Sequence, residues 1–292
     1  MRVAPVAETF GRLQPLRVGD GYPALLADLA GEVVAESTRL GAGLPDSVLV
    51  SLKTLCLAIN TYASNRIEGH DTEPAEVMRA MQDDFSVDKK RRALQEEARA
   101  HVEVQLWIDE RVRSGKLKSA LDPKFIRKIH ERFFRRSPRE FLVVRGEKEE
   151  LYCALPGKSR GPSMDVVVGE HIPPSGDVVD DWLRRLCEHY EAAPRGNISR
   201  LLDLAAAHHR FLYLHPFSEG NGRVVRLVTH AQIQLAGVGS GGLWSISRGL
   251  GRGLAPGLEG RSEYKRKLHY ADSPRDGDLD GLRRRRSGGN RR

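Results

Sequence analysis

His215-Pro216-Phe217-Ser218-Glu219-Gly220-Asn221-Gly222-Arg223, followed by Arg226, is the stretch on which the reading of this chain turns. Apolar residues recur at helical spacing over 199–214 and again over 221–235. Pro216 disfavours helical dihedrals at His215, so the first helix is expected to end there. Gly220 and Gly222 flank Asn221 where the second helix begins. They permit positive φ and leave consecutive backbone N–H groups at a helix N-terminus, which makes an anion site. Arg223 falls in the first turn and Arg226 one turn later, on the same helix face. Cations are unfavourable at a helix N-terminus unless an anion is also present, and phosphate suits the position.

The same loop carries His215, a residue type that acts as a base near neutral pH. It also carries Glu219, a carboxylate suited to Mg²⁺ beside a polyphosphate. Base, metal ligand, anion nest and two arginines together describe phosphoryl or nucleotidyl transfer. Singly, each has a plainer reading: a turn, a solvated arginine, a structural histidine. Phe217 reads as an apolar plug pinning the loop to the core. His208, Phe211 and Leu214 recur every three residues and read as the buried face of a helix. His208 and His209 are adjacent, point in different directions and make a poor metal pair.

Outward from this stretch the pattern stays mostly helical. Helices are expected over 22–40, over a segment that Asp46 can cap and Gly69 ends, and over 73–82, opened by Asp71 or Thr72. A charged segment, 87–113, reads as one long helix, and Asp122-Pro123 starts another that ends near Arg136. Residues 142–144, 151–155 and 165–168 are short and rich in apolar or β-branched residues, as in a small hairpin or flap. Helices resume at 177–193, 199–214 and 221–235.

Length and composition (292 residues, 40% hydrophobic, 29% charged) fit a soluble globular protein of one large domain or two small ones. The net charge of +8 is concentrated in 248–292, with 13 Lys/Arg against 6 Asp/Glu, so the body is balanced. Nucleic acid is therefore not expected as a partner except through that basic tail. Cys56, Cys153 and Cys187 suggest neither disulfide framework nor structural zinc. No secretory signal or membrane span is read, and a cytoplasmic location is the expectation.

The pattern His-Pro-Phe-x-Glu-Gly-Asn-Gly-Arg-x-x-Arg resembles the signature of the Fic family at every defining position. Leu155-Pro156-Gly157, residues 166–168 with Gly169, and Pro173-Pro174 resemble the family as well, and the likeness runs over roughly 25–280. It implies a mainly α fold, a Fic helical bundle with a small β-hairpin flap. Three parts are expected: residues 1–95, an N-terminal helical region with an inhibitory helix; 96–247, the catalytic core with the flap; and 248–292, a basic tail read as truncated or disordered.

The resemblance implies a protein adenylyltransferase using ATP and Mg²⁺. His215 is then the base for a Tyr, Thr or Ser hydroxyl of a target protein, and Glu219 the metal ligand. Gly220, Asn221 and Gly222 hold the α-phosphate, Arg223 the β-phosphate and Arg226 the γ-phosphate. The flap holds the target segment by main-chain pairing. Self-modification and a homodimer are also among the family's habits. Ser64-Asn65-Arg66-Ile67-Glu68-Gly69 resembles the inhibitory motif, in which Glu68 would pair with Arg226. Gly222 argues against the phosphorylating variant, which carries lysine there. Rival readings are AMP removal with Glu68 positioning water, transfer of another nucleotide or phosphate group, and a non-catalytic binding module. The chain departs from its relatives after Asp280, where an arginine- and glycine-rich tail replaces the helical segment that usually follows.

Overall fold

A computed structural model describes residues 23–135, 137, 141–145, 151–162, 164–169, 171–191, 196–252 and 260–272. Ten helices and one two-stranded sheet occur among them, in the order α1 (Ala24–Arg39), α2 (Asp46–Glu68), α3 (Pro74–Met81), α4 (Lys89–Arg113), α5 (Pro123–Phe134), β1 (Val143–Arg145), β2 (Leu151–Cys153), α6 (Val179–Glu191), α7 (Asn197–Leu214), α8 (Asn221–Leu235), α9 (Ile246–Arg252) and α10 (Gly260–Asp272). The mainly α architecture expected from the periodicity is thus observed.

Local chemistry sets most of the boundaries. Asp88 caps α4 by accepting from the Arg91 N–H, and Asp122 caps α5 by accepting from the Lys124 N–H, with Pro123 in its first turn. The cap of α3 is Glu73, in a reciprocal capping box with Glu76, rather than Asp71 or Thr72. Asp46 is the first residue of α2, not its cap; Pro45 occupies that position. Gly69 ends α2 with φ 92°, as its lack of a Cβ allows.

The main core joins α4, α5, α6, α7 and α8 through residues such as Ile108, Phe133, Leu183, Phe211, Phe217 and Val228. A smaller cluster, Leu57, Ala58, Val77, Ala98 and Val102, ties α2 and α3 to α4. By length and composition α2 could cross a membrane. Its Asn60, Thr61, Ser64 and Asn65 are all buried within the bundle, which marks it as a packed helix of the fold.

The hairpin is described at its stem, where β1 and β2 pair antiparallel with Val144 opposite Tyr152. The third apolar segment, 165–168, forms no strand; it contributes one isolated bridge, Val168 to His171. The expected tail boundary at 248 also fails, because that residue lies inside α9 and residues 260–272 form α10. The basic composition hid an amphipathic helix that has a polar anchor: the Tyr264 hydroxyl lies 2.7 Å from His208 Nε2. The arginine-rich stretch of 282–292 lies outside the described residues.

Candidate active site

The loop between α7 and α8 is built from specific local interactions. His215 closes α7 with φ 47° and ψ 62°, the left-handed conformation that Pro216 helps to impose by excluding the helical one. Phe217 is fully buried beside Phe211, as an apolar plug should be. Asn221 Oδ1 accepts from the Phe217 N–H (2.9 Å), and Asn221 Nδ2 donates to the Phe217 carbonyl (2.6 Å). The side chain expected on a phosphate therefore closes the loop upon itself and acts on the site by shaping it. Gly220 has φ 79°, and a Cβ there would lie 2.3 Å from the Phe134 ring, so glycine is required twice over. The first N–H groups of α8, from Asn221 onward, have no acceptor within the helix and form the N-terminal nest.

Two arginines stand behind the nest, each held by carboxylates. Arg223 is 3% exposed and lies 5.3 Å from the centroids of both Phe133 and Phe134. Its Nη2 donates to Glu219 Oε1 (2.8 Å) and its Nη1 to Glu97. Burial lowers its pKa to about 10, so it stays charged at neutral pH. Arg226, also buried, donates from Nε to Ser64 Oγ (3.0 Å) and from Nη2 to the Ser64 carbonyl (3.0 Å) and Glu68 Oε1 (2.7 Å). The motif at the end of α2 and the signature of α8 thus meet 158 residues apart in sequence. Gly222 makes room for that meeting: a Cβ there would sit 2.3 Å from Glu68 Oε1.

The electrostatics follow from this crowding. Burial would raise the Glu68 carboxyl, but Arg226 and then Arg223 outweigh it and hold the group below its ordinary range. Glu219 is raised: burial is the main cause, the Gly220 N–H opposes it, and the nearby Glu68 charge adds to it. A divalent cation would relieve that repulsion. Glu219 is suited to hold Mg²⁺, since this ion takes one or two carboxylates and draws further oxygens from phosphates and water. Among the described residues there is no cluster of three or more metal-ligating side chains that would form a cage of its own. Burial, then Arg160 and His171, depress the His215 imidazole to about 3, which leaves it neutral at pH 7.

Sequence reasoning missed four contributors. Arg160, fully buried, donates from Nε to the His215 carbonyl (2.7 Å) and from Nη2 to the carbonyls of Leu214 (3.1 Å) and Pro174. This cation at the C-terminal end of α7 fixes the backbone that presents His215. His130 accepts the Gly157 N–H at Nδ1 (2.9 Å), so its Nε2–H donates to the Glu219 carbonyl (3.2 Å) and joins the flap region to the loop. Glu97 holds Arg223. The fourth is α10, whose Tyr264, Lys265 and Leu268 wall a cavity of about 580 Å³ shared with Glu68, His215 and Arg226. Glu97 alone left a sequence signal, its i, i+4, i+8 spacing with His101 and Gln105 inside a charged helix.

Residues 120–233, which span α5 to α8, match the model of the Fic/DOC family. The loop, the nest and both arginines described above lie within this matched segment. Among curated proteins it is similar to the Protein adenylyltransferase Fic of Drosophila grimshawi, at 36% identity over 74 residues, 25% of this chain and 15% of that protein. It is also similar to the Protein adenylyltransferase Fic of Nematostella vectensis, at 28% over 75 residues, 26% of this chain and 18% of that protein. The matched stretch thus spans less than a fifth of these relatives' length. Among solved structures, a Fic family protein from Desulfovibrio desulfuricans G20 superposes with TM-score 0.58 at 19% identity, covering 86% of this chain and 66% of that one. Fic-1 from C. elegans gives TM-score 0.58 at 17% identity, covering 89% and 68%. These two likenesses establish the fold.

Proposed function

We propose that this protein transfers AMP from ATP to a hydroxyl of a protein side chain, and that Glu68 restrains the transfer. One observation carries the reading. A neutral histidine, a helix N-terminal nest and Arg226 face one cavity, and the arginine is already occupied by a carboxylate. A site so built wants an anion and has a substitute for it in place.

In this reading the nest N–H groups and Arg223 hold the α- and β-phosphates, and Arg226 the γ-phosphate, with arginine's planar fork spanning two oxygens. Glu219 would hold Mg²⁺, which would supply neutralisation of the phosphate charge. The acceptor hydroxyl gives its proton to His215 as its oxygen bonds to the α-phosphorus. The bond from that phosphorus to the bridging oxygen breaks, and pyrophosphate leaves with the electron pair. Donors aimed at the α-phosphate meet the charge that builds there. A target segment would run beside the cavity along the exposed Val167 and Val168, the latter with its own backbone paired to His171. The targets are proteins with an accessible Tyr, Thr or Ser hydroxyl, this chain included.

Glu68 acts by geometry. While it holds Arg226, the γ-phosphate lacks its partner and meets a carboxylate instead. ATP then binds with its α-phosphorus out of line with the hydroxyl, and in-line attack fails. The reading is tested by His215→Ala, which should lower AMP transfer by about 10²–10⁴-fold while ATP binding is retained. Near-normal transfer by a folded His215→Ala protein would overturn it.

A further inference from the structure

The geometry points to Glu97 as the positioning residue for Arg223, and we infer that it sets the hold on the β-phosphate; the inference rests on the functional reading above. Glu97 lies on α4, outside the signature, and its side chain is fully buried. It accepts from Arg223 Nη1, and its second oxygen lies 2.5 Å from His70 Nδ1. A fully buried carboxylate persists only when it is paired, and Arg223 supplies the pairing.

The three nitrogens of the Arg223 guanidinium are engaged unequally. Nη1 is on Glu97, Nη2 on Glu219, and Nε has no acceptor among the described residues. Nε and Nη2 share one edge of the planar group, the edge that grips two oxygens of one phosphate side by side. The two carboxylates also differ. Glu219 is 37% exposed, whereas Glu97 is 0% exposed on a helix of the core. When a polyphosphate enters, Glu219 is the partner that yields, and its natural destination is the cation. Glu97 stays and keeps the far edge of the guanidinium anchored, with the rings of Phe133 and Phe134 against it. Nη2 is thereby held where a phosphate oxygen that replaces the Glu219 carboxylate would meet it, before the nucleotide arrives. Such preorganisation raises affinity without any contact between Glu97 and the nucleotide.

His70 follows Gly69 at the end of α2, so Glu97 also touches the segment that carries Glu68. The test therefore uses Glu68→Gly as the parent, in which that restraint is already removed. AMP, ADP and ATP are titrated into the parent and into Glu68→Gly with Glu97→Gln, without an acceptor protein. The expected result is a loss of ADP and ATP affinity of roughly 10-fold or more, with AMP affinity within about twofold of the parent. A merely structural role would weaken all three alike, and that outcome overturns the inference. Glu97→Asp keeps the charge but draws it back, and should show the same selectivity in weaker form if Glu97→Gln does not fold. Adding Arg223→Ala should cost no further ADP affinity, because Glu97 acts through that arginine. If the parent binds neither ADP nor ATP, the functional reading fails and this inference with it. If the parent binds both and Glu97→Gln binds them equally well, only the role of Glu97 falls.

Discussion

Around Phe133, Phe211 and Phe217 the bundle is held by aromatic rings and branched apolar side chains, and no water is needed to satisfy them. Along α2 it is held by a polar seam. Asn60 donates to Gln105 (2.6 Å), Thr61 Oγ1 lies 3.0 Å from His101 Nδ1, and Ser64 and Glu68 together hold Arg226. Both regions are buried, but they differ in what can replace them. Apolar contact has no competitor in water, so the core is permanent. Each bond of the seam can be exchanged for another polar group, and an anion is a natural competitor for an arginine. Hence the helix that carries the proposed restraint is attached, near the site, by polar bonds of a kind that an anion can displace.

The sharpest way to break this comparison is to damage the core. Phe211→Ala removes a fully buried ring from its centre and should cost about 3–5 kcal/mol of stability, read from denaturant unfolding. A loss no larger than that of a seam variant would mean the two regions are not different in kind.

Part of this arrangement was legible in the sequence. The end of α7 at His215 and the start of α8 at Asn221 follow from residues whose local demands are strong, proline and paired glycines, whereas the meeting of Glu68 with Arg226 was expected only from the resemblance to the Fic family. Asn221 was placed on the phosphate by the family resemblance, and the fold puts its side chain on the Phe217 backbone. Glu97 was lost within the charged run of α4, where one buried glutamate looks like its solvated neighbours until the fold places Arg223 against it. Arg160 was lost in a loop whose partners lie 54 and 55 residues away. α10 was taken for tail because basic composition outweighed its spacing of Tyr264 and Leu268, both of which line the cavity.

Acid should probe the seam next. Burial, the leading cause in each case, holds His101 and His208 at about 3, against an ordinary 6.5. His208 donates to Thr229 Oγ1 (2.7 Å), whose own hydroxyl donates to the Val225 carbonyl, and it accepts from Tyr264 at Nε2. As pH falls below about 6.5, the unfolded chain takes up protons that the folded one refuses. The sign is therefore loss of stability on acidification: none well above pH 6.5, about 2 kcal/mol per histidine by pH 5, and more toward pH 3. Denaturant midpoints at pH 7.5 and pH 5 check this, and His101→Gln should remove one histidine's share of the difference. An unchanged midpoint between the two pH values would place neither His101 of the seam nor His208, between α7, α8 and α10, in a dry interior.

Glu68→Gly weakens the helix end by about 1 kcal/mol and also removes the carboxylate paired with buried Arg226, and this variant speaks most directly to the central claim. The measurement is the rate at which AMP is added to the protein itself at saturating ATP with Mg²⁺, followed by intact mass for wild type and for folded Glu68→Gly. A Glu68→Gln control separates charge from helix propensity. The account predicts faster addition by Glu68→Gly and loss of that gain when Arg226→Ala is added, because the released arginine is the one that holds the γ-phosphate. A folded Glu68→Gly protein no faster than wild type would contradict it.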